Sequence, residues 1–225
     1  MKKLSALLLT TLMLTGCNKQ EGIGKEILKL DTQLDCLVQL KAGSIDVAII
    51  DSVMAGYYTA NGEFANDLTV VENLTLAAEQ YGIATRKSDL VFMEKINEGL
   101  VGTASNGKLN EIAEFFGVKD SLAVTSSTTY EKNGIDDSWE KILTSGKIVI
   151  GYTIFAPIAY EDENKNYSGN KFTGFDIELS REVVNYLNST YSANLTVEYQ
   201  EIDWDSKEAL LANGTIDLIW NGLTI

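Results

Sequence analysis

The sequence predicts an α/β protein whose parallel strands carry helices on both faces, and three observations predict it. Short apolar runs rich in β-branched residues alternate with stretches of helical period over most of the chain. The runs are nearly continuous, as in Ile45-Asp46-Val47-Ala48-Ile49-Ile50, which is what a strand buried on both faces requires. A helix end, a glycine stop and an apolar run also occur twice, as Leu40-Lys41-Ala42-Gly43-Ser44-Ile45-Asp46-Val47 and as Leu211-Ala212-Asn213-Gly214-Thr215-Ile216-Asp217-Leu218. The echo points to two similar lobes, each with an equivalent strand. Ligands of open α/β sheets sit at the carboxyl ends of such strands, here Asp51 and Asn221-Gly222. Helix capping at these positions is equally compatible with the pattern.

Taken in order, 31–42 reads as a short amphipathic helix with Leu34, Leu37 and Val38 on one face and Gly43 past its end. Residues 45–50 are a buried strand, and Asp51-Ser52 caps a helix running to Tyr58. A second short strand falls at 68–71 and an extended segment at 79–86. Two helices then carry Leu90, Met93, Ile96, Leu100 and Leu109, Ile112, Phe115, Phe116, closing at Gly117. Residues 118–135 are polar and aperiodic, the composition of a linker. Beyond it lie a capped helix start at Asp136-Asp137-Ser138, a strand at 147–151, a helix at 175–187 with Ile177, Val183, Val184 and Leu187 inward, a strand at 195–202, a helix at 206–212 and a buried strand at 216–220.

The N-terminus reads as an address. Met1-Lys2-Lys3 is a positive start, 4–14 is apolar but too short to span a bilayer, and Leu14-Thr15-Gly16-Cys17 follows. That order resembles the lipobox of bacterial lipoproteins, and the resemblance implies a signal peptide over 1–17 and a lipid on Cys17. Cys36, among Leu34, Leu37 and Val38, reads as a buried, inert thiol. Asn-x-Ser/Thr triplets at Asn73, Asn188, Asn194 and Asn213 carry little meaning beside a bacterial lipobox.

Composition narrows the chemistry. The 225 residues are 45% hydrophobic with one proline, enough apolar material for a real core. A formal charge of −14 repels phosphate backbones and argues against nucleic acid as a partner. With no histidine, histidine-based triads and histidine-ligated metals are excluded, and two cysteines are too few for a zinc site of four thiolates. No paired-carboxylate spacing stands out, so no catalytic residue, metal or cofactor is expected.

Several motifs in order then carry a family resemblance. Gly146-Lys147-Ile148-Val149-Ile150-Gly151, Phe155-Ala156-Pro157, Gly174-Phe175-Asp176-Ile177-Glu178-Leu179, Ile202-Asp203-Trp204-Asp205 and the run from Gly214 to Asn221-Gly222-Leu223-Thr224-Ile225 resemble the opening half of a bacterial extracellular solute-binding protein of the amino-acid type. Residues 40–51 and 79–117 are similar to the closing half of the same family. The halves would thus stand in permuted order. The resemblance implies a periplasmic-binding-protein-like fold, with one complete lobe from 79–117 and 136–225 and a partial lobe II at 25–78.

The family's division of labour implies a free amino acid as ligand. Asp51 matches the carboxylate that pairs with the ligand's α-ammonium, and Phe155 matches the aromatic that packs over its side chain. Asn221, the Gly222 carbonyl and the Thr224 hydroxyl match the edge that completes the site. The family's arginine for the α-carboxylate lies beyond the position of Ile225, and Arg86 and Arg181 are the alternatives in this sequence. The implied partners are an ABC permease and, through the lipid anchor, the membrane. Three readings stand at this point: a binding subunit of an amino-acid importer, a rearranged or truncated fragment without independent binding, and an enzyme on the same fold.

Overall fold

The computed structural model describes residues 26–60, 63–71, 74, 76–164 and 167–225. The segment 1–17 with Cys17, and Asn73, lie outside the described residues. The chain divides into two compact units, Met1–Thr69 and Val70–Ile225.

The described residues of the first unit carry two helices. Helix α1 (Gln33–Lys41) starts at Thr32, whose hydroxyl accepts from the Asp35 amide while the Asp35 carboxylate accepts from the Thr32 amide, a reciprocal capping box. Helix α2 (Ser52–Ala60) starts at Asp51. The Asp51 amide donates to Gln33 Oε1 at 2.8 Å, which ties the two helix starts together. Leu37, Met54 and Phe64 form the buried centre. Leu34 and Val38, expected on the inner face of α1, are exposed instead, and Cys36 is half-buried, its thiol pushed up by burial and then by Asp35. Among the described residues of the unit, too little lies against α1 to cover a whole apolar face.

The strand expected at 45–50 does not form, nor does the one at 68–71. Val47 and Ile49 are 56% and 69% exposed, and Val70 and Val71 are exposed too. A strand is a pair property, since its amides and carbonyls need a neighbour's ladder. Among the described residues no strand runs beside either segment.

The second unit is sheet-centred: a four-stranded sheet runs β1 (Tyr81–Ala84), β6 (Leu218–Thr224), β2 (Lys147–Tyr152), β5 (Thr196–Glu201). Strand β3 (Tyr160–Glu161) pairs antiparallel with β4 (Phe172–Thr173) in a separate two-stranded sheet. Strand β2 (Lys147–Tyr152) pairs in parallel with β5 (Thr196–Glu201), from Lys147↔Thr196 to Tyr152↔Glu201, and with β6 (Leu218–Thr224) at Ile150↔Leu218. Strand β1 (Tyr81–Ala84) adds antiparallel to β6. Parallel neighbours need crossovers; α6 (Phe175–Tyr191) and α7 (Lys207–Ala212) supply them. Ile148 and Ile150 of β2, with Leu218 and Trp220 of β6, face a large cluster with Phe92, Ile96, Val183 and Leu187. Val149 and Ile219 face the opposite cluster of Ile202, Leu211 and Ile216. Both faces are covered, which is why Ile148-Val149-Ile150 reads as one apolar run.

Helices α3 (Leu90–Ser105), α4 (Lys108–Phe116) and α5 (Ser138–Ser145) complete the larger layer. Leu90, Met93 and Phe115, expected inward, sit at its exposed margin. Helix α3 packs on α6 through glycines: a Cβ at Gly99 would stand 2.6 Å from Val183 Cγ1, and one at Gly102 would enter the Tyr186 ring. Within 118–135 a short 3-10 turn (Lys119–Ser121) precedes Leu122 and Val124, which pack against the core. One carboxylate closes the stretch. Asp136 accepts from the Leu90 and Val91 amides at the start of α3 and from the Ser138 amide at the start of α5. The residues in the formal cap positions, Asp89 and Asp137, make no side-chain cap.

Candidate functional site

The residues singled out in the second unit meet at the carboxyl end of the sheet. After β2 the chain turns at Phe155, whose amide donates to Ala159 O at 2.7 Å while its carbonyl accepts from Ile158 and Ala159. The turn is fastened to the start of α6, where Pro157 O accepts from the Phe175 amide and Ile158 O from the Asp176 amide. Gly174 just before it has φ 129° and backs directly onto the Ile158 carbonyl, so no side chain fits there.

Phe155 lies over β6. A Cβ at Gly222 would stand 2.7 Å from Phe155 Cε1, and Gly222 has φ 60°, so glycine is required both for space and for conformation. Tyr81 of β1 meets the Phe155 ring edge-on at 6.4 Å between centroids. Beside them, Thr224 Oγ1 donates to Glu79 Oε2 at 3.3 Å.

Asn221 is 2% exposed. Its Oδ1 accepts from both the amide and the hydroxyl of Thr153 at 2.9 Å, and because an amide N–H can only donate, the orientation of the side chain is fixed. Its Nδ2 is therefore a buried donor without a partner among the described residues. Such a donor costs about 1–3 kcal/mol and marks a place where an acceptor would be welcome.

Asp176 underlies the same spot. Its Oδ2 accepts from the Gly222 amide at 3.2 Å, and the Trp220 side chain also donates to the carboxylate. Burial pushes this carboxyl up to about 7, against the lowering effect of those two donors. Sequence reasoning quoted Asp176 within a motif without giving it a role. The signal was there: an acid at the second position of a helix whose following residues face the core.

Asp51 lies in the other unit. There its Oδ1 accepts from the Val53 and Met54 amides at 2.7 and 3.3 Å, so the helix-capping alternative describes what it does in the structure. Neither arginine stands at the site. Arg86 donates to Asp89, Asp217 and the carbonyls of Ile216 and Leu211. Arg181 donates to the buried Glu178, to Ser168 and to the Phe172 carbonyl. An open polar groove of about 530 Å³, lined by Arg86, Asp89, Lys147 and Asp217 among others, lies at the opposite, amino end of β2. Among the described residues no group of three or more acidic, cysteine or histidine side chains could hold a metal ion, and no helix is long and apolar enough to cross a membrane.

A mostly parallel sheet clad on both faces, with an aromatic turn and a glycine edge at its carboxyl end, matches a lobe of the periplasmic-binding-protein fold. Residues 148–225 match the model of the bacterial extracellular solute-binding proteins, family 3. Among solved structures, the chain is similar to a polar amino acid ABC uptake transporter substrate binding protein from Streptococcus thermophilus, at 40% identity over 40% of this chain and 30% of that one, with a TM-score of 0.31. It is also similar to an ABC uptake transporter substrate binding protein from Streptococcus pneumoniae with bound histidine, at 38% identity over 38% and 31% of the two chains and a TM-score of 0.29. The L-cystine solute receptor of Neisseria gonorrhoeae matches at 29% identity over 38% and 32%, with a TM-score of 0.29. The chain thus spans about a third of the length of these structures. No curated protein matches it.

Proposed function

We propose that this chain is the substrate-binding component of an amino-acid ABC importer, exported and held at the membrane by a lipid on Cys17. The observation that carries the reading is the convergence of Phe155, Asn221, Gly222 and Thr224 at one sheet end, inside the segment that matches the solute-binding family. In this reading Phe155 packs over the ligand side chain, while the Gly222 carbonyl and the Thr224 hydroxyl hold the ligand's polar end. Asn221 offers its Nδ2, which has no partner among the described residues, to an acceptor. The chain carries out no chemistry: it captures a free amino acid and presents it to a membrane permease. The lobe is 79–117 with 136–225, joined through 118–135, and 25–78 is the remnant of the second. Isothermal titration of the full chain against a panel of free amino acids tests the proposal, with heat from at least one member expected and none counting against it.

A second reading is favoured by two specific observations: a rearranged fragment that folds without binding. The apolar 45–50 run has no ladder among the described residues, and both arginines are committed to internal ion pairs. A cooperative unfolding transition together with silent titrations would decide for it.

A further inference from the structure

We propose that Asp176 is a positioning residue of the candidate site, its carboxylate holding the Asn221–Gly222 peptide and the Trp220 indole, and that a proton taken up there loosens both. The effect on a ligand rests on the reading of Gly222 as a ligand contact; the positioning itself does not.

Geometry carries the proposal. Asp176 stands where three parts of the site join. Its own amide is tied to Ile158 O in the turn that bears Phe155, and its carboxylate is tied to Gly222 and Trp220 on β6. The residue is 9% exposed, so water does not replace a lost partner easily. The titratable and charged groups on the elements around it are engaged elsewhere. On α6, Glu178 is held by Arg181, Thr173 and Ser168. At the β1 side, Glu79 takes the Thr224 hydroxyl and Tyr81 packs on Phe155. Tyr160, on the strand that follows the turn, packs edge-on against Phe116. Both partners of Asp176 are donors, which suits a carboxylate; a protonated carboxyl turns one oxygen into a third donor facing two others. Burial brings that change to about pH 7.

The test needs no ligand. In the ¹⁵N-labelled full chain, the Gly222 amide and Trp220 indole resonances are followed between about pH 5 and 9, since an ordinary aspartate titrates near 3.9 and would leave them flat. A shared transition with a midpoint of about 7, lost in Asp176→Asn, is the expected result. Flat resonances in the wild type, or two unrelated midpoints, overturn the proposal, and the wild-type titration alone decides should the variant not fold. Calorimetry with the same panel of free amino acids at the two ends of the range separates the two readings. Weaker binding at the acid end extends the proposal to ligand capture. Silence at both ends with the shared transition intact counts against the binding function and leaves the positioning role supported.

Discussion

Arg86 Nη2 lies 3.1 Å from Asp217 Oδ1, an ion pair that joins the exit of β1 to the turn entering β6. The same guanidinium holds Asp89 at 2.6 Å and the Ile216 carbonyl at 2.8 Å, while Asp217 Oδ2 accepts from the Val149 amide. Arginine's planar fork suits this set of partners, and lysine offers no equivalent.

Arg86→Ala therefore leaves two largely buried carboxylates without their cation. Loss of about 3 kcal/mol is expected, with Arg86→Lys recovering only part of it, read from urea unfolding of the full chain.

Gly222→Ala meets two penalties at once, a left-handed backbone and the Phe155 ring at 2.7 Å. The backbone conformation alone costs roughly 1–2 kcal/mol. A lower melting temperature is expected, with weakened amino-acid binding in the same variant, whereas Gly169→Ala, with a positive φ but open space around it, should shift the melting temperature alone.

The α3–α6 contact predicts a packing effect with no link to binding. Gly99→Ala places a methyl against Val183 Cγ1 and the Val183 carbonyl, and helices this close separate only at a cost. About 1–3 kcal/mol of destabilisation is expected by thermal or denaturant melting.

Asp176 gives stability a definite pH slope. Its folded value lies above the unfolded value of 3.8, so the folded chain holds a proton that the unfolded chain has released. Its contribution is greatest below about pH 4, is lost progressively up to about pH 7, and is flat above. The shift corresponds to a difference on the order of 4 kcal/mol across that window. Subtracting the pH profile of Asp176→Asn from that of the wild type isolates the slope, and a difference that rises with pH would contradict the assignment.

How much of this was legible in the sequence depends on what each element needs. Helix stops are local, and both copies of the echo close alike. Gly43 donates to Leu40 O and Ser44 to Gln39 O, while Gly214 donates to Leu211 O and Thr215 to Leu210 O. The strand after the stop is not local. Residues 216–224 find β1 and β2 on either side, whereas 45–50 carry the same kind of residues and find no partner among those described. Phe155, Asn221, Gly222 and Thr224 could be picked out because their motifs occur in family order. Asp176 could not be given its role that way, because its partners, the Gly222 amide and the Trp220 indole, lie 44 and more residues away across the sheet.

Asp136 clamps the start of α3 and the start of α5 with one carboxylate, and Glu94 Oε1 accepts from the Gly134 amide beside it. The two helix starts are thereby stapled whatever the peptide between them does. Backbone order and spatial neighbourhood come apart at this joint. Doubling a flexible loop adds only about 0.6 kcal/mol of closure entropy, so a long spacer spliced in after Val124 would leave both helices seated. Side chains, not loop length, hold the edges of this joint together.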